Sequence, residues 1–427
     1  MGQSGHVSER IRYLGKSIDS MIPEHYHLSF PLHFRLHIGI CGSIAAYKAL
    51  DLCRSFQSLG LQVGATLTQA GSQFITPLAL TALGADPVYT ELFAPRDSVY
   101  AHLEPGQTSR AFLVAPASAN TLAKMANGLA DTMLSCQLLA APCPVVIAPA
   151  MNPNLWEAEA TQENVRRLSQ RDNMTIISPD SGHVACGDHG TGRLASGPEL
   201  IWNTLRCMAK SDLQGRKILI NLGPTREFWD PVRFWSNPSS GKMGAAMALT
   251  AWLRGAEVHC VCGPTEQWLP QAIPCTRVCS AREMNEACLD LWPGADIGCL
   301  AAAVCDFRPA AISDHKFKKN SLQGELNISF SSNPDILRAL GEQKKPHQSL
   351  IGFAAESEAE YEPLVLQKLA RKKLDCIVAN RITQQGTGFG SPTNSVTVFF
   401  PGGQSHPLHS MSKADVAWKI WDLICAN

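Results

Sequence analysis

Short apolar runs alternate with helical stretches along the first half of the chain. Each run is followed by glycine, proline or small polar residues, which is typical of buried strands that end in loops. The predicted strands are residues 36–40, 63–67, 111–115 and 145–148. The predicted helices between them are residues 45–59, which end before a glycine, and residues 121–140.

The same alternation restarts after a polar stretch at residues 210–216, where we place a domain boundary. The predicted strands of this half are residues 217–222, 257–261, 297–301 and 376–380. Strands that alternate with helices predict an α/β fold of two Rossmann-like domains, each a mostly parallel sheet with helices on both faces. We expect an N-terminal extension of unknown role at residues 1–34, then domains at residues 35–212 and 213–427.

Composition limits the functional classes. The chain has 427 residues, of which 45% are apolar, enough for two cores. It has 37 basic and 37 acidic residues, so net charge gives no reason to expect a nucleic-acid or membrane partner. Its fifteen cysteines have no repeating spacing, which favours reduced thiols and a cytoplasmic protein. No apolar run approaches the ~20 residues of a membrane span.

Small hydroxyl and amide residues follow the predicted strands of the first half. Gly42 and Ser43 precede a helix, where they either bind a phosphate or form a plain strand-to-helix turn. Ser118 and Asn120 are either helix N-caps or ligands of a ring or ribityl chain. The spacing is not G-x-G-x-x-G, which argues against a nicotinamide-dependent oxidoreductase.

Further pieces of the first half complete a recognisable set. His102 precedes the third strand, Asn152 lies in a P-A-M-N segment after the fourth, and Cys186 lies in a Gly-rich A-C-G-D loop. With the G-S-x-A-A-Y-K loop, the set resembles the flavin-dependent cysteine decarboxylases. The resemblance implies that His102 is the catalytic base, that Asn152 holds the substrate carboxylate and that Cys186 is the acid. It implies FMN as the cofactor, bound by Gly42, Ser43, Thr68, Ser118 and Asn120.

Some features of the first half depart from that set or suit another chemistry. Leu155 stands where the family usually has methionine, and Pro105 replaces the usual leucine after the histidine motif. His183, Cys186 and His189 have a spacing that also suits a zinc site, although no fourth ligand is evident.

The second half carries six motifs in order: G-P-T-R-E, S-N-P-S-S-G-K-M-G, A-A-V-C-D-F, K-F-K-K, N-P-D-I and G-F-A-A-E. In isolation, the lysine run is typical of a solvated surface, and the S-S-G-K segment at a helix start is typical of an anion site. Jointly they resemble the phosphopantothenate–cysteine ligases. The resemblance implies that Asn237 and Lys316 are catalytic. It implies that CTP is bound by Gly298, Cys299, Leu300, Asp306, Lys316, Pro334, Asp335, Ile336, Leu337, Phe353, Lys368 and Lys372.

Together the two resemblances imply a bifunctional phosphopantothenoylcysteine decarboxylase and phosphopantothenate–cysteine ligase of coenzyme A biosynthesis. The implied ligands are 4′-phosphopantothenate, cysteine, CTP, FMN and Mg²⁺, with the Mg²⁺ held mainly by nucleotide phosphates. The resemblance also implies a homo-oligomer, with flavin-domain trimers and ligase-domain dimers. A flavin-binding regulatory protein with a vestigial active site is the alternative, and a turnover assay distinguishes the two.

Overall fold

The computed structural model describes residues 21–30, 34–93, 99–184, 187–317, 327–356, 361–381, 391 and 393–426. The chain forms two compact units. Unit 1 contains Ser29–Ala209 and the described residues ahead of Glu24, and unit 2 contains Glu24–Leu28 and Lys210–Asn427. No helix in the described ranges is long and apolar enough to cross a bilayer.

Unit 1 is built on a parallel sheet. Its strands are β1 Arg35–Ile40, β2 Gln62–Leu67, β3 Val88–Tyr89, β4 Ala111–Ala117, β5 Val145–Pro149 and β6 Met174–Ile176, with a separate hairpin of β7 Asp180–His183 and β8 His189–Arg193. Its helices are α1 Lys48–Ser58, α2 Pro77–Ala82, α3 Glu104–Thr108, α4 Ala119–Asn127, α5 Met133–Ala140, α6 Pro153–Glu157, α7 Glu159–Ser169 and α8 Gly197–Met208. In the strand order β3-β2-β1-β4-β5-β6, the first strands are added on one side of β1 and the later ones, from β4, on its other side. Sheets of this kind bind ligands at such a switch point, which here lies between β1 and β4.

Unit 2 repeats this plan with a larger sheet. Its strands are β9 Lys217–Leu222, β10 Arg226–Phe228, β11 Phe234–Ser236, β12 Glu257–Cys262, β13 Cys275–Arg277, β14 Ile297–Leu300, β15 Phe307–Pro309, β16 Phe330–Ser332, β17 Ser349–Glu356, β18 Cys376–Arg381, β19 Thr393–Phe399 and β20 Ser405–Ser412. Its helices are α9 Lys242–Leu253, α10 Ala281–Leu291, α11 Ile336–Gln343, α12 Glu362–Arg371 and α13 Lys413–Ala426. In the order β13-β12-β9-β14-β17-β18-β19-β20, only the last two pairings, β18 with β19 and β19 with β20, are antiparallel. The predicted α/β class with mostly parallel sheets is confirmed.

Apolar strands form the two cores. Every position of β4 is buried, and Phe112 and Val114 pack there against Leu134 of α5 and Ile147 of β5. In unit 2, one core contains strand residues and residues of the helical segments that cover the strands. Its members include Leu219, Met284, Trp292, Leu350 and Ile377. Since central strands such as β4, β5 and β14 are buried on both faces, their neighbouring polar side chains can reach solvent mainly where these strands end.

The prediction of one helix over residues 121–140 is wrong. The chain forms α4 and α5 instead, separated at Gly128, which adopts a left-handed conformation with φ of 69°. Thr132 then begins α5 with a capping box, in which the side chains of Thr132 and Ser135 each bond to the other residue's backbone N–H. A glycine in that conformation ends helices commonly, and the cap restarts the next one.

Part of the predicted N-terminal extension belongs to unit 2. Glu24–Tyr26 forms a 3₁₀ turn, and Tyr26 is 1% exposed, with its hydroxyl donating to the carbonyl of Trp268. His25 is also buried. This short segment is therefore a structural element of that unit.

Candidate active sites

A cavity of about 790 Å³ lies at the carboxyl ends of β1, β4 and β5 in unit 1. Such a volume is in the range of cofactor and small-molecule sites. The polar side chains predicted to bind a cofactor or substrate there are Ser43, Ser118, Asn120 and Asn152. Ile44, Tyr47 and Leu155 add apolar surface to the cavity, and each is more than half exposed. The cavity thus combines a largely apolar wall with a few polar groups at strand ends.

The loop after β1 contributes the first polar group. Gly42 packs so closely that an added Cβ would lie 2.5 Å from the Cβ of Ala70. Ser43 accepts a hydrogen bond from the N–H of Ala45 and starts the 3₁₀ turn Ile44–Tyr47, which continues into α1. The glycine and the serine therefore place a helical N-terminus at the cavity, as an anion site requires.

The loop after β4 shows Ser118 as a helix N-cap that also lies at the cavity, while its role as a ligand stays a prediction. Its hydroxyl accepts a hydrogen bond from the N–H of Thr121 at 3.3 Å and caps α4, while the same residue lines the cavity. The thiol of Cys41 bonds to the hydroxyl of Thr121 at 3.1 Å, which ties this loop to the end of β1. Burial raises the pKa of that thiol, so Cys41 stays neutral.

Asn152 connects the loop after β5 with the β7–β8 hairpin. Its side-chain oxygen accepts from the N–H of Asn154 at 2.8 Å, and its amide nitrogen donates to Asp188 at 2.9 Å. The N–H of Met151 also donates to the carbonyl of Gly192. These contacts hold the hairpin, which carries the A-C-G-D loop, against the cavity wall.

Three predicted site residues of unit 1 are not among the described residues that line the cavity. Cys186 lies outside the described residues. Thr68 accepts from the N–H of Gly71 at 3.0 Å beside the Gly42 loop, but it is not among the described residues that line the cavity. His102 is half-buried in the turn ahead of α3 and is likewise not in that lining.

A buried polar chain supports the turn that carries His102. His37 bonds to Thr66 at 2.7 Å, Thr66 donates to Gln137 at 2.7 Å, and Gln137 donates to the carbonyl of Ala101 at 3.1 Å. Burial and then Arg35 lower the pKa of His37 to about 3, so the chain is uncharged at neutral pH. The turn is thereby fixed to the interior of the sheet.

The zinc alternative gains no support from the described residues. The rings of His183 and His189 lie 5.0 Å apart on the hairpin. Within the described ranges, which do not include Cys186, no three ligand side chains are grouped to hold a metal ion.

A second cavity, of about 370 Å³, lies in unit 2 beside the carboxyl ends of β9, β14 and β17. Six residues predicted from the ligase resemblance line it: Asn237, Asp306, Leu337, Phe353, Lys368 and Lys372. Residues 239–244 and 301–304 also line it. Asn380, Asn394 and Lys413 also line it, and no motif had pointed to them.

Hydrogen bonds fix the polar groups of this cavity. Asn237 donates from its side-chain nitrogen to the carbonyls of Ala303 and Val304, at 3.4 and 3.1 Å. Lys368 pairs with Glu356 at 2.6 Å. Lys372 pairs with Asp335 at 2.9 Å, and Asp335 also caps α11. Both lysines are therefore held by carboxylates at the cavity edge.

Other predicted nucleotide contacts do not reach this cavity. Gly298, Cys299 and Leu300 form β14, where Cys299 is fully buried and Leu300 nearly so; the lining comes from the loop that follows them. Likewise, the lining within the described ranges does not include Pro334, Asp335, Ile336 or Lys316.

Asp230 anchors the segment that carries Lys316. Its side chain is fully buried and accepts from the N–H groups of Val232, Arg233 and Phe317, at 2.8, 2.7 and 3.2 Å. The Arg233 guanidinium adds an ion pair at 2.8 Å. Burial raises the pKa of Asp230, but these donors outweigh it and hold the pKa below its usual range. The exposed Lys316 thus stands next to a fixed backbone position.

Comparisons with known proteins agree with this division. Residues 30–207 match the Flavoprotein family model, and residues 213–427 match the model of the DNA/pantothenate metabolism flavoprotein C-terminal domain. The coenzyme A biosynthesis bifunctional protein CoaBC of Bacillus subtilis strain 168 is 41% identical over 395 residues, covering 91% of this chain and 95% of the relative. CoaBC of Escherichia coli strain K12 is 38% identical over 372 residues, covering 86% and 91%.

Two solved structures are similar to separate parts of the chain. The C-terminal domain of a CoaBC protein covers 51% of this chain and 97% of its own, at 38% identity and a TM-score of 0.43. A cysteine-to-serine mutant of a PPC decarboxylase, complexed with pantothenoylaminoethenethiol, covers 40% and 96%, at 30% identity and a TM-score of 0.36.

The fold, the two cavities and the family matches define a flavoprotein with a second α/β domain. With identities of 38–41% over about nine-tenths of the chain, the finer assignment follows. The chain belongs to the CoaBC family of bifunctional coenzyme A biosynthesis proteins.

The Asp230 contacts yield a prediction. In Asp230→Asn, the neutral amide accepts hydrogen bonds more weakly and its NH₂ group opposes the backbone donors, so the anchor of Phe317 loosens. Trypsin cleavage of the Lys316–Phe317 bond should accelerate by ~10-fold or more, the scale of a lost hydrogen bond to a charged group. Mass spectrometry of a digestion time course measures the rate.

Asp290→Asn, on the exposed face of α10, is the matched control and should leave that rate unchanged. Since the pKa of Asp230 is depressed, the anchor is present at neutral pH and is lost as pH falls through the folded-state pKa, below the usual carboxyl range. Equal cleavage rates in wild type and Asp230→Asn would show that the contact does not hold the segment.

Proposed function

We propose that the chain is a bifunctional enzyme whose ligase occupies residues 213–427 and whose decarboxylase occupies residues 35–212. The ligase joins 4′-phosphopantothenate to cysteine with CTP, and the decarboxylase converts the product to 4′-phosphopantetheine. The pair of cavities carries the proposal, because each lies at the carboxyl edge of its own parallel sheet and contains residues predicted from one of the two chemistries.

The ligase reaction needs an activated carboxylate, because an amine does not displace oxide from a free carboxylate. The carboxylate of 4′-phosphopantothenate attacks the α-phosphate of CTP, releasing pyrophosphate and forming an acyl-cytidylate. The cysteine amine then attacks the acyl carbon and CMP leaves. Asn237 holds the acyl group, and its bonds to the carbonyls of Ala303 and Val304 fix its side chain for that contact.

The reacting phosphates carry negative charge, which positively charged groups must neutralise. Lys316 neutralises the phosphate under attack, and no described carboxylate forms an ion pair with it, so its charge is available. Asp306, Lys368 and Lys372 form the nucleotide side of the cavity. Mg²⁺ would be held mainly by the phosphates of CTP and would supply positive charge that offsets theirs.

The decarboxylase site fits FMN. The N-terminus at Ser43 and the hydroxyl of Ser118 suit its phosphate and ribityl chain, and the apolar wall suits a flat ring. When bound, FMN supplies a reversible hydride acceptor. Asn152 orients the substrate carboxylate, His102 removes a proton, and Cys186 returns a proton to the product intermediate.

The homo-oligomer remains part of the proposal. In unit 2, Trp235 and Phe330 stack edge to face with ring centres 5.8 Å apart, and both are exposed together with Phe307. Exposed aromatic clusters of this kind are common at protein interfaces, which supports ligase-domain dimers. All cysteines within the described ranges are free, which fits the proposed cytoplasmic location.

The first prediction of this proposal concerns the flavin. Purified protein should show flavin absorbance bands, and the released cofactor should have the mass of FMN. Gly42→Ala should bind FMN at least ~10-fold more weakly, because the new Cβ displaces the loop from Ala70. Fluorescence titration of the apoprotein measures the affinity.

Gly294→Ala is the control, since a Cβ there meets no atom within 4 Å, and it should bind FMN normally. Recovery of FAD, or of no flavin from a folded preparation, would refute the cofactor assignment.

The second prediction concerns Lys316. Lys316→Gln keeps much of the side-chain length but removes the charge, so cysteine-independent pyrophosphate release should fall by ~10²-fold or more. Decarboxylation of supplied phosphopantothenoylcysteine should be unchanged in the same protein. Normal pyrophosphate release in this variant would show that Lys316 is not catalytic and that the lysine run is a solvated surface segment.

A further inference from the structure

Lys413 is a buried lysine at the edge of the unit 2 cavity. It is the first residue of α13 and only 4% exposed, yet it lines the cavity. No carboxylate of the described residues forms an ion pair with it, and the charged group that acts on it most is another cation, Lys242. Burial, and then Lys242, lower the pKa of Lys413 to about 8. A buried cation without a counter-ion destabilises a fold, so such positions commonly have a ligand.

The other lysines of the cavity differ from Lys413 in this respect. Lys368 pairs with Glu356, and Lys372 pairs with Asp335. Both are therefore compensated within the protein before any ligand binds. Lys413 lacks that compensation, although it is the more deeply buried.

Two helix N-termini meet the cavity at the same place. α9 begins at Lys242 and α13 begins at Lys413, both first residues line the cavity, and the two helices pack against each other. Gly241 precedes α9 and has no side chain with which to cap it. The first N–H groups of a helix and its dipole attract anions. Lys242 and Lys413 add full positive charges at these two helix N-termini, where the helix dipoles are already positive.

His25 lies close enough to Lys242 and Lys413 to be affected by both charges. Burial, and then Lys242, lower the pKa of His25 to about 4, with a smaller contribution from Lys413. The imidazole is thus neutral at physiological pH. Its buried Nε2 has no hydrogen-bond partner among the described residues. The segment Glu24–Tyr26 therefore closes around this corner without supplying a counter-ion.

We infer that Lys413 and Lys242, with the N-termini of α13 and α9, bind a phosphate group of a ligase substrate. The inference rests on the proposed function, because it assigns a subsite within the ligase cavity. Two substrates supply this chemistry, namely the triphosphate of CTP and the monophosphate of 4′-phosphopantothenate. A dianionic phosphate would accept from N–H groups at the start of α9 and would neutralise the charge of Lys413.

The test compares ligands with and without phosphate. Calorimetric titrations of the full chain measure the affinities for CTP, cytidine, 4′-phosphopantothenate and pantothenate. Lys413→Met should weaken binding of a phosphate-bearing ligand by ~10- to 100-fold, the scale of a lost charged hydrogen bond. Binding of its phosphate-free counterpart should not change. A loss confined to CTP identifies the triphosphate as the occupant, and one confined to 4′-phosphopantothenate identifies the monophosphate.

Two further variants separate charge from packing. Lys419→Met, on the exposed side of the same helix, should bind all four ligands as wild type does. Lys413→Arg keeps the charge and should retain most of the phosphate-dependent affinity. Unchanged affinity for both phosphate ligands in Lys413→Met would overturn the inference, and so would an equal loss for the phosphate-free ligands.

Thermal unfolding gives an independent readout. Ligand-free Lys413→Met should melt at a higher temperature than wild type, because an uncompensated buried charge has been removed, and phosphate ligands should stabilise it less. A lower melting temperature would indicate a structural role and contradict the inference. If wild type ligates normally and Lys413→Met keeps its phosphate affinity, only the inference fails. If wild type forms no acyl-cytidylate, the proposed function fails instead.

Discussion

The geometry of the parallel sheet is the constraint on which both candidate sites depend. Backbone hydrogen bonds and apolar packing occupy the strands along their length, as in β4, where every position is buried. Polar side chains and free N–H groups can therefore gather only where strands end and helices begin. Ser43, Ser118 and Asn152 follow β1, β4 and β5, and residues 301–304 follow β14. Both units therefore place their candidate sites at the carboxyl ends of parallel strands, although the proposed chemistries differ.

The two cavities differ in how their polar groups are compensated. In unit 1, Ser118 and Asn152 already bond to backbone N–H groups, so this part of the wall is preformed, and Lys48 and Arg193 add positive charge to the lining. In unit 2, Lys413 and Lys242 lie together without a described carboxylate beside Lys413. A preformed wall suits a cofactor that stays bound. A positive corner in which Lys413 has no counter-ion among the described residues suits anionic substrates that bind and leave, at some expense of stability.

Much of the fold follows from the sequence, because long apolar runs determine the central strands. β3 and β6 were missed because runs of two and three residues carry no period. β17 was recognised only as a motif, since its alanines and glycine give little strand signal. The break between α4 and α5 depends on the conformation of Gly128, which composition alone does not determine.

The candidate sites were predictable where motifs follow strands and less so elsewhere. Lys413 was missed because a lysine at the start of an amphipathic helix is usually solvated, and its burial depends on packing against α9. Cys299 illustrates the opposite case, since it stands beside a motif but its side chain is buried in the sheet.

The most direct test of bifunctionality is the mass of the products formed by one purified chain. The full protein would be incubated with 4′-phosphopantothenate, cysteine, CTP and Mg²⁺, and the reaction followed by mass spectrometry. We expect CMP and pyrophosphate in equal amounts, transient 4′-phosphopantothenoylcysteine, and then 4′-phosphopantetheine, lighter by one CO₂. Retention of flavin without any of these products would contradict the account and favour a regulatory flavoprotein.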